Sequence, residues 1–270
     1  MRAVSTTRAY RADWAAFTDW CAAHRLASFP AAAATVARYL DDVARTHKVA
    51  TVRRRLAAVR AAHLDAGATS PTVAAPVRLV VARAEWRQRG RARSTVPLGV
   101  EALRSMSQAL PASLAGQRDR ALLLLGYGAG LRPGELARLA TNDVRRVRAG
   151  LRVRIPRGPV VVPFGSAPEL CAVDAWTRWQ RAARLTGGSA LRGVDRHGRL
   201  ADRGLSPKAV TRIVRRSAAA AGLDPAQYQG LSLRRGMVAA ATAQGASDHG
   251  IMEHTGHRSR RLVRRYMQDH

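Results

Sequence analysis

Residues 87–97 run Arg-Gln-Arg-Gly-Arg-Ala-Arg-Ser-Thr-Val-Pro, a stretch too polar and too charged to enter a hydrophobic core. Bounded by Gly90 and Pro97, it interrupts the apolar patterning of a 270-residue chain and divides it into two unequal lengths. With the linker proper at 91–97, the expected organisation is a domain of residues 1–90 and a larger domain of residues 98–270.

The first length is patterned for helices. Tyr10, Trp14 and Phe17 recur at helical spacing after the capping candidates Ser5, Thr6 and Thr7. Val36, Tyr39, Leu40 and Val43 mark a second helix starting near Pro30. Val52, Leu56, Val59 and His63 mark a third after Thr51, and Val77, Val80, Val81 and Trp86 a fourth beyond Gly67 and Pro71. Four short amphipathic helices make a small all-α module.

In the second length, residues 98–140 are again helical, with Ala121-Leu-Leu-Leu-Leu125 as a core run. The period then changes. Leu151, Val153 and Ile155 alternate with Arg152 and Arg154, and Val160-Val-Val162 follows a Pro156-Arg-Gly-Pro159 turn, which predicts a small β-hairpin or sheet with an arginine-lined face. Helical patterning resumes from Pro168, interrupted by a turn at Asp195-Arg-His-Gly198. The fold class is therefore mainly α with a small β-hairpin or sheet.

Charge narrows the function. Forty-six Lys and Arg against eighteen Asp and Glu give a formal net charge of +28, a field that attracts polyanions, nucleic acid first among them. The alternative is a surplus of merely solvated arginines. Only Lys48 and Lys208 are lysines, so the chain grips with planar guanidinium forks rather than point charges. Candidate DNA contacts are Arg53, Arg54 and Arg60 on the third helix and Arg87, Arg89, Arg91 and Arg93 in and before the linker. Cys21 and Cys171 have no metal-ligand spacing and lie among apolar residues, as reduced core thiols do. No apolar run is long enough to cross a membrane and no signal peptide is evident, so a cytoplasmic protein is expected.

Three patterns in the second half belong to one chemistry. They are Gly130-Leu-Arg132-Pro-Gly-Glu135-Leu136, an arginine leading into a helix; Leu231-Ser-Leu-Arg234-Arg-Gly236 at another helix start; and Thr255-Gly-His257, followed nine residues later by Tyr266. Breaking a phosphodiester at neutral pH needs charge stabilisation on the non-bridging oxygens, a nucleophile, and a proton for the leaving oxygen. Two arginines can clamp the phosphate, a histidine can add a hydrogen bond, and a tyrosine hydroxyl can form a covalent phosphoester. His254 lies three residues before His257, spaced to share a helical face, but Glu253-His254-x-x-His257 is not a zinc pattern and no metal is expected.

The order and spacing of these boxes resemble the tyrosine recombinase (phage integrase) family. The resemblance is specific from Arg120 onward and looser before residue 95, where the helices are similar to the family's core-binding domain. It implies a two-domain DNA clamp, a helical core-binding domain plus a catalytic domain, in which Tyr266 attacks the scissile phosphate to give a 3′-phosphotyrosine and a free 5′-hydroxyl. By the same resemblance Arg132, Arg234 and His257 hold the phosphate, Glu135 orients its neighbours, and no cofactor is needed. The implied partners are double-stranded DNA with inverted-repeat sites, three further copies of the chain in a homotetramer, and an accessory protein in some systems.

Two positions depart from the family pattern. Leu231 stands where the family has histidine, and the hairpin lysine that protonates the leaving oxygen has no counterpart, with Arg154 and Arg157 the nearest basic residues. Losing a general acid or base typically costs roughly 10²–10⁴-fold. Three readings follow: a recombinase, attenuated to some degree; a recombinase-derived DNA-binding protein that no longer cuts; and a basic RNA-binding or structural protein with chance matches.

Overall fold

The computed structural model describes residues 4–88, 95–257 and 259–260, with side chains from Thr7 onward. The chain divides into two compact units, Met1–Arg93 and Ser94–His270, a division inside the basic stretch that the sequence singled out.

The first unit contains α1 (Val4–Ala23), α2 (Ala33–Thr46), α3 (Val49–Asp65) and α4 (Ala75–Arg87). Phe17, Val36, Tyr39, Leu40, Val43, Val52, Val59 and Val77 form its core, the apolar faces that the periodicity marked. Helix starts were less legible. Ser5, Thr6 and Thr7 are not caps, because α1 already runs from Val4. The second helix begins at Ala33 rather than beside Pro30, and the third at Val49, ahead of Thr51. His63 is buried as a core histidine: Nδ1–H donates to Val59 O at 2.9 Å and Nε2 accepts from Ala31 N at 3.0 Å. Trp86, by contrast, is 71% exposed.

In the second unit, α5 (Val100–Gln108) precedes α6 (Leu114–Gly128), whose residues 121–125 are all buried. A helix that is apolar around its whole circumference must be enclosed, and α8 (Ala172–Ala182), α9 (Pro207–Ala220) and α10 (Gly230–Ala243) pack on α6. Between α7 (Pro133–Arg138) and α8 lies a three-stranded antiparallel sheet, β1 (Val144–Val147), β2 (Gly150–Ile155) and β3 (Gly158–Val162). Its alternation is the expected one: Leu151, Val153, Ile155, Val160 and Val162 are buried, while Arg152 and Arg154 face outward. The Asp195–Gly198 turn is the tip of a second hairpin, β4 (Arg192–Val194) with β5 (Leu200–Gly204), where the sequence suggested a turn alone. The last helix with described side chains throughout, α11 (Asp248–Thr255), follows α10.

Candidate active site

Each box acquires a local physical reason. Gly130, at φ +57°, turns the chain after α6, with Gly130 N and Leu131 N bonded back to Tyr127 O and Gly126 O. The next residue but one, Arg132, then sits at the N-cap of α7. Glu135 occupies the third helical position, where its carboxylate accepts from the Arg132 backbone N–H at 2.7 Å and from Arg132 Nη1 at 3.0 Å. The Gly-Leu-Arg-x-x-Glu spacing is thus a helix start that pins an arginine to its own capping carboxylate.

The second box divides its labour. Ser232 Oγ accepts from Gln229 N at 3.1 Å and caps α10. Arg234, fully buried, donates through Nη1 to Gly130 O at 2.7 Å. Arg235 Nη1 binds Thr95 O, and Gly236 lets the Leu98 backbone pass so closely that an added Cβ would lie 2.0 Å from Leu98 O. Arg235 and Gly236 therefore hold the start of this unit, while Arg234 faces the site.

In the third box α11 ends at Thr255, and Gly256 in the left-handed region (φ +66°) reverses the chain to present His257. His254 and His257 consequently do not share a helical face. His254 Nε2–H donates to Gly128 O at 2.9 Å, a structural bond. His257 is buried, accepts from Arg234 Nη2 through Nε2 at 3.1 Å, and lies 2.6 Å from Thr255 Oγ1 through Nδ1. The Thr255 hydroxyl donates its own proton to Ile251 O, so the imidazole proton sits on Nδ1.

Arg157, from the Pro156-Arg157 turn between β2 and β3, reaches into the same place. Its Nη1 donates to Glu135 Oε1 at 2.7 Å, Nη2 to Ala129 O at 3.1 Å and Nε to His254 O at 3.4 Å. Arg154 goes elsewhere, pairing with Asp143 at 2.8 Å on the exposed side of β2. Leu231 is half-buried in the first turn of α10, three residues before Arg234 and on the same side of the helix.

The electrostatics follow from this packing. Burial pushes the Glu135 carboxyl up, but the Arg132 N–H, the Arg157 hydrogen bond and both guanidinium charges outweigh it and hold its pKa below the usual value. His257 is pushed down to about 4, by burial first and then by the charges of Arg234, Arg132 and Arg157, against which Glu135 acts weakly. At neutral pH three guanidiniums face one carboxylate and a neutral imidazole, leaving an excess of two positive charges around a single point. Such a cluster suits an anion that gains charge as it reacts.

This unit carries two basic surfaces, of which the sequence marked only the arginine-lined sheet. Lys208, Arg212 and Arg215 on α9 line one groove with Thr211 and Pro133, the residue after Arg132. On the three-stranded sheet Arg145 lies directly opposite Arg152, and among the described residues neither meets a carboxylate. Of the DNA contacts expected in the first unit, Arg53 is bonded to Glu85 and Arg54 to Asp13, each through two nitrogens. Arg60 and Arg87 are exposed. Arg89, Arg91, Arg93 and Tyr266 lie outside the described residues.

Comparison with known proteins gives the family and the fold. Residues 97–270 match the phage integrase family. A relative from Selenomonas ruminantium, described as an integrase/recombinase xerD homolog, is 30% identical over 280 residues, covering 99% of this chain and 82% of its own. A lambda integrase tetramer bound to a Holliday junction shares the fold with a TM-score of 0.60 at 17% identity, over 98% of this chain and 72% of that one. XerA recombinase does so with a TM-score of 0.52 at 16% identity, over 98% and 87%. The family match takes in every box from Arg132 to Tyr266, and the chain belongs to the phage integrase family, the tyrosine recombinases that break and rejoin DNA strands.

Proposed function

We propose that Tyr266 is the nucleophile of this recombinase and that Arg132, Arg234 and His257 bind the scissile phosphate of duplex DNA. The observation that carries the reading is the convergence of Arg132, Arg157 and Arg234 on a buried, neutral His257. In cleavage the Tyr266 hydroxyl oxygen bonds to phosphorus and the bond to the 5′ oxygen breaks. The phenol loses a proton and the 5′ oxygen gains one, leaving a 3′-phosphotyrosine and a 5′-hydroxyl. Rejoining reverses these steps, so neither metal nor nucleotide is consumed. The transition state gathers charge on the non-bridging oxygens, where the guanidinium excess stabilises it.

Proton delivery to the 5′ oxygen is the weak step. Leu231 carries no exchangeable proton, and an arginine at the hairpin keeps its own. Cleavage is therefore slow relative to a member with both groups. The same two positions support the alternative, a DNA-binding derivative that no longer cuts. Unit one serves as the core-binding domain with Arg60 and Arg87 on phosphates, and the working assembly is a homotetramer on two inverted-repeat sites in the cytoplasm, with or without an accessory protein.

A nicked suicide duplex carrying the recombination site tests the reading. The wild-type chain accumulates a detergent-resistant protein–DNA adduct and Tyr266→Phe accumulates none. Tight binding with no adduct from the wild type establishes the non-cutting derivative instead.

A further inference from the structure

We infer that Arg157 is a positioning residue that braces Arg132 and His257 into one arrangement, and that the β2–β3 turn contributes no proton to the leaving oxygen. The inference rests on the recombinase reading above.

Arg157 sits at the junction of three segments. Through Glu135 Oε1, which accepts from both Arg157 Nη1 (2.7 Å) and Arg132 Nη1 (3.0 Å), it fixes the first arginine of the phosphate clamp. Its Nη2 reaches the α6 terminus at Ala129 O (3.1 Å), directly before Gly130, whose carbonyl holds Arg234. Its Nε reaches His254 O (3.4 Å), and its aliphatic stem lies on Gly256, where a Cβ would fall 2.1 Å from Arg157 Cδ. The segment so held is the one that presents His257. One side chain, 13% exposed, thereby touches the support of every described group in the site.

The geometry demands arginine. Three acceptors are met by three different nitrogens of one planar fork. A lysine ammonium, with a single nitrogen on a flexible stem, cannot span them. The same bonds disqualify Arg157 as an acid. A guanidinium is a poor general acid, and this one is paired with an ionised carboxylate, so surrendering a proton would deprive the buried Glu135 of one of its two arginine partners. The chain has thus replaced the family's proton donor with a brace.

The test compares single-turnover adduct formation on two nicked duplexes, one with an ordinary scissile phosphodiester and one with a 5′-bridging phosphorothiolate, whose sulfur leaves as thiolate without a proton. Arg157→Ala should slow both substrates alike, by about 10²-fold, as a misplaced clamp does. Added guanidinium ion should recover part of that loss, whereas Arg157→Lys, which keeps the charge, should not. If the phosphorothiolate restores Arg157→Ala to the wild-type rate, the residue is an acid and the inference fails. A second measurement is independent of cleavage. In protein with ¹⁵N-labelled histidine, the buried Nδ1–H of His257 should give a slowly exchanging resonance that Arg157→Lys loses, and its persistence in that variant overturns the brace. Absence of any wild-type adduct counts against the recombinase reading, while this resonance still decides the role of Arg157. Should Arg157→Ala fail to fold, the Lys variant carries both measurements.

Discussion

Arg234 Nη2 donates to His257 Nε2 across 3.1 Å, and both side chains are buried. Because arginine can only donate, this bond favours the neutral imidazole with its proton on Nδ1, and the cationic form would set two positive groups against each other. With Arg132 and Arg157 adding to the repulsion, the folded pKa lies at about 4 against an ordinary 6.5.

That difference makes folding depend on pH. Between pH 6.5 and about 4 the unfolded chain binds a proton at His257 that the folded chain refuses. The resulting stabilisation is complete above 6.5 and is lost as pH falls through the folded value. Urea unfolding of the wild type should therefore weaken between pH 7 and pH 5 by more than that of His257→Gln. His254, depressed in the same direction, contributes equally to both proteins and cancels. Parallel pH dependence in the two proteins would show that His257 titrates at its ordinary value.

A second expectation concerns the groove on α9. Lys208 and Arg212 are exposed on one face of that helix, beside Pro133, while Arg215 spends its Nε on Tyr228 O. If the groove follows a DNA backbone, each lost cation removes one released counterion, so Lys208→Ala and Arg212→Ala should each reduce the slope of log K against log salt by about 0.9. Duplex binding measured between low and moderate salt gives the slopes. Unchanged slopes with wild-type affinity would place the DNA on another face.

How much of this was legible beforehand follows sequence distance. Arg132 and Glu135 are one helical turn apart, so a helix start could be read directly, whereas the left-handed turn at Gly256 was missed and His254 and His257 were expected to share a helical face. Arg157 could be flagged only as a nearby base, because its partners Glu135, Ala129 and His254 lie 22 to 97 residues away and periodicity carries no such information. The arginines of α3 show the same limit: they read as a free basic face, yet Arg53 and Arg54 find Glu85 and Asp13 across 32 and 41 residues. The β4–β5 hairpin was missed because three residues, Arg192-Gly-Val194, are too few for an alternation to register.

Gly256 ties the legible box to the illegible brace, and its replacement separates their energies. Gly256→Ala incurs two costs. One is the left-handed backbone at φ +66°, about 1–2 kcal/mol for a residue with a Cβ. The other is a collision, since the new methyl would lie 2.1 Å from Arg157 Cδ and must expel that side chain. Gly198→Ala offers the comparison, with a similar φ of +78° and nothing near the added carbon. Thermal unfolding should show the larger loss at position 256, and only that variant should slow adduct formation. In an Arg157→Ala background the 2.1 Å collision disappears and only a 3.2 Å approach to the Cβ of residue 157 remains. Gly256→Ala should there cost only a little more than Gly198→Ala, a non-additivity that a double-mutant cycle reads directly. Additive losses would mean that Gly256 serves its turn alone and that Arg157 can move without disturbing His257.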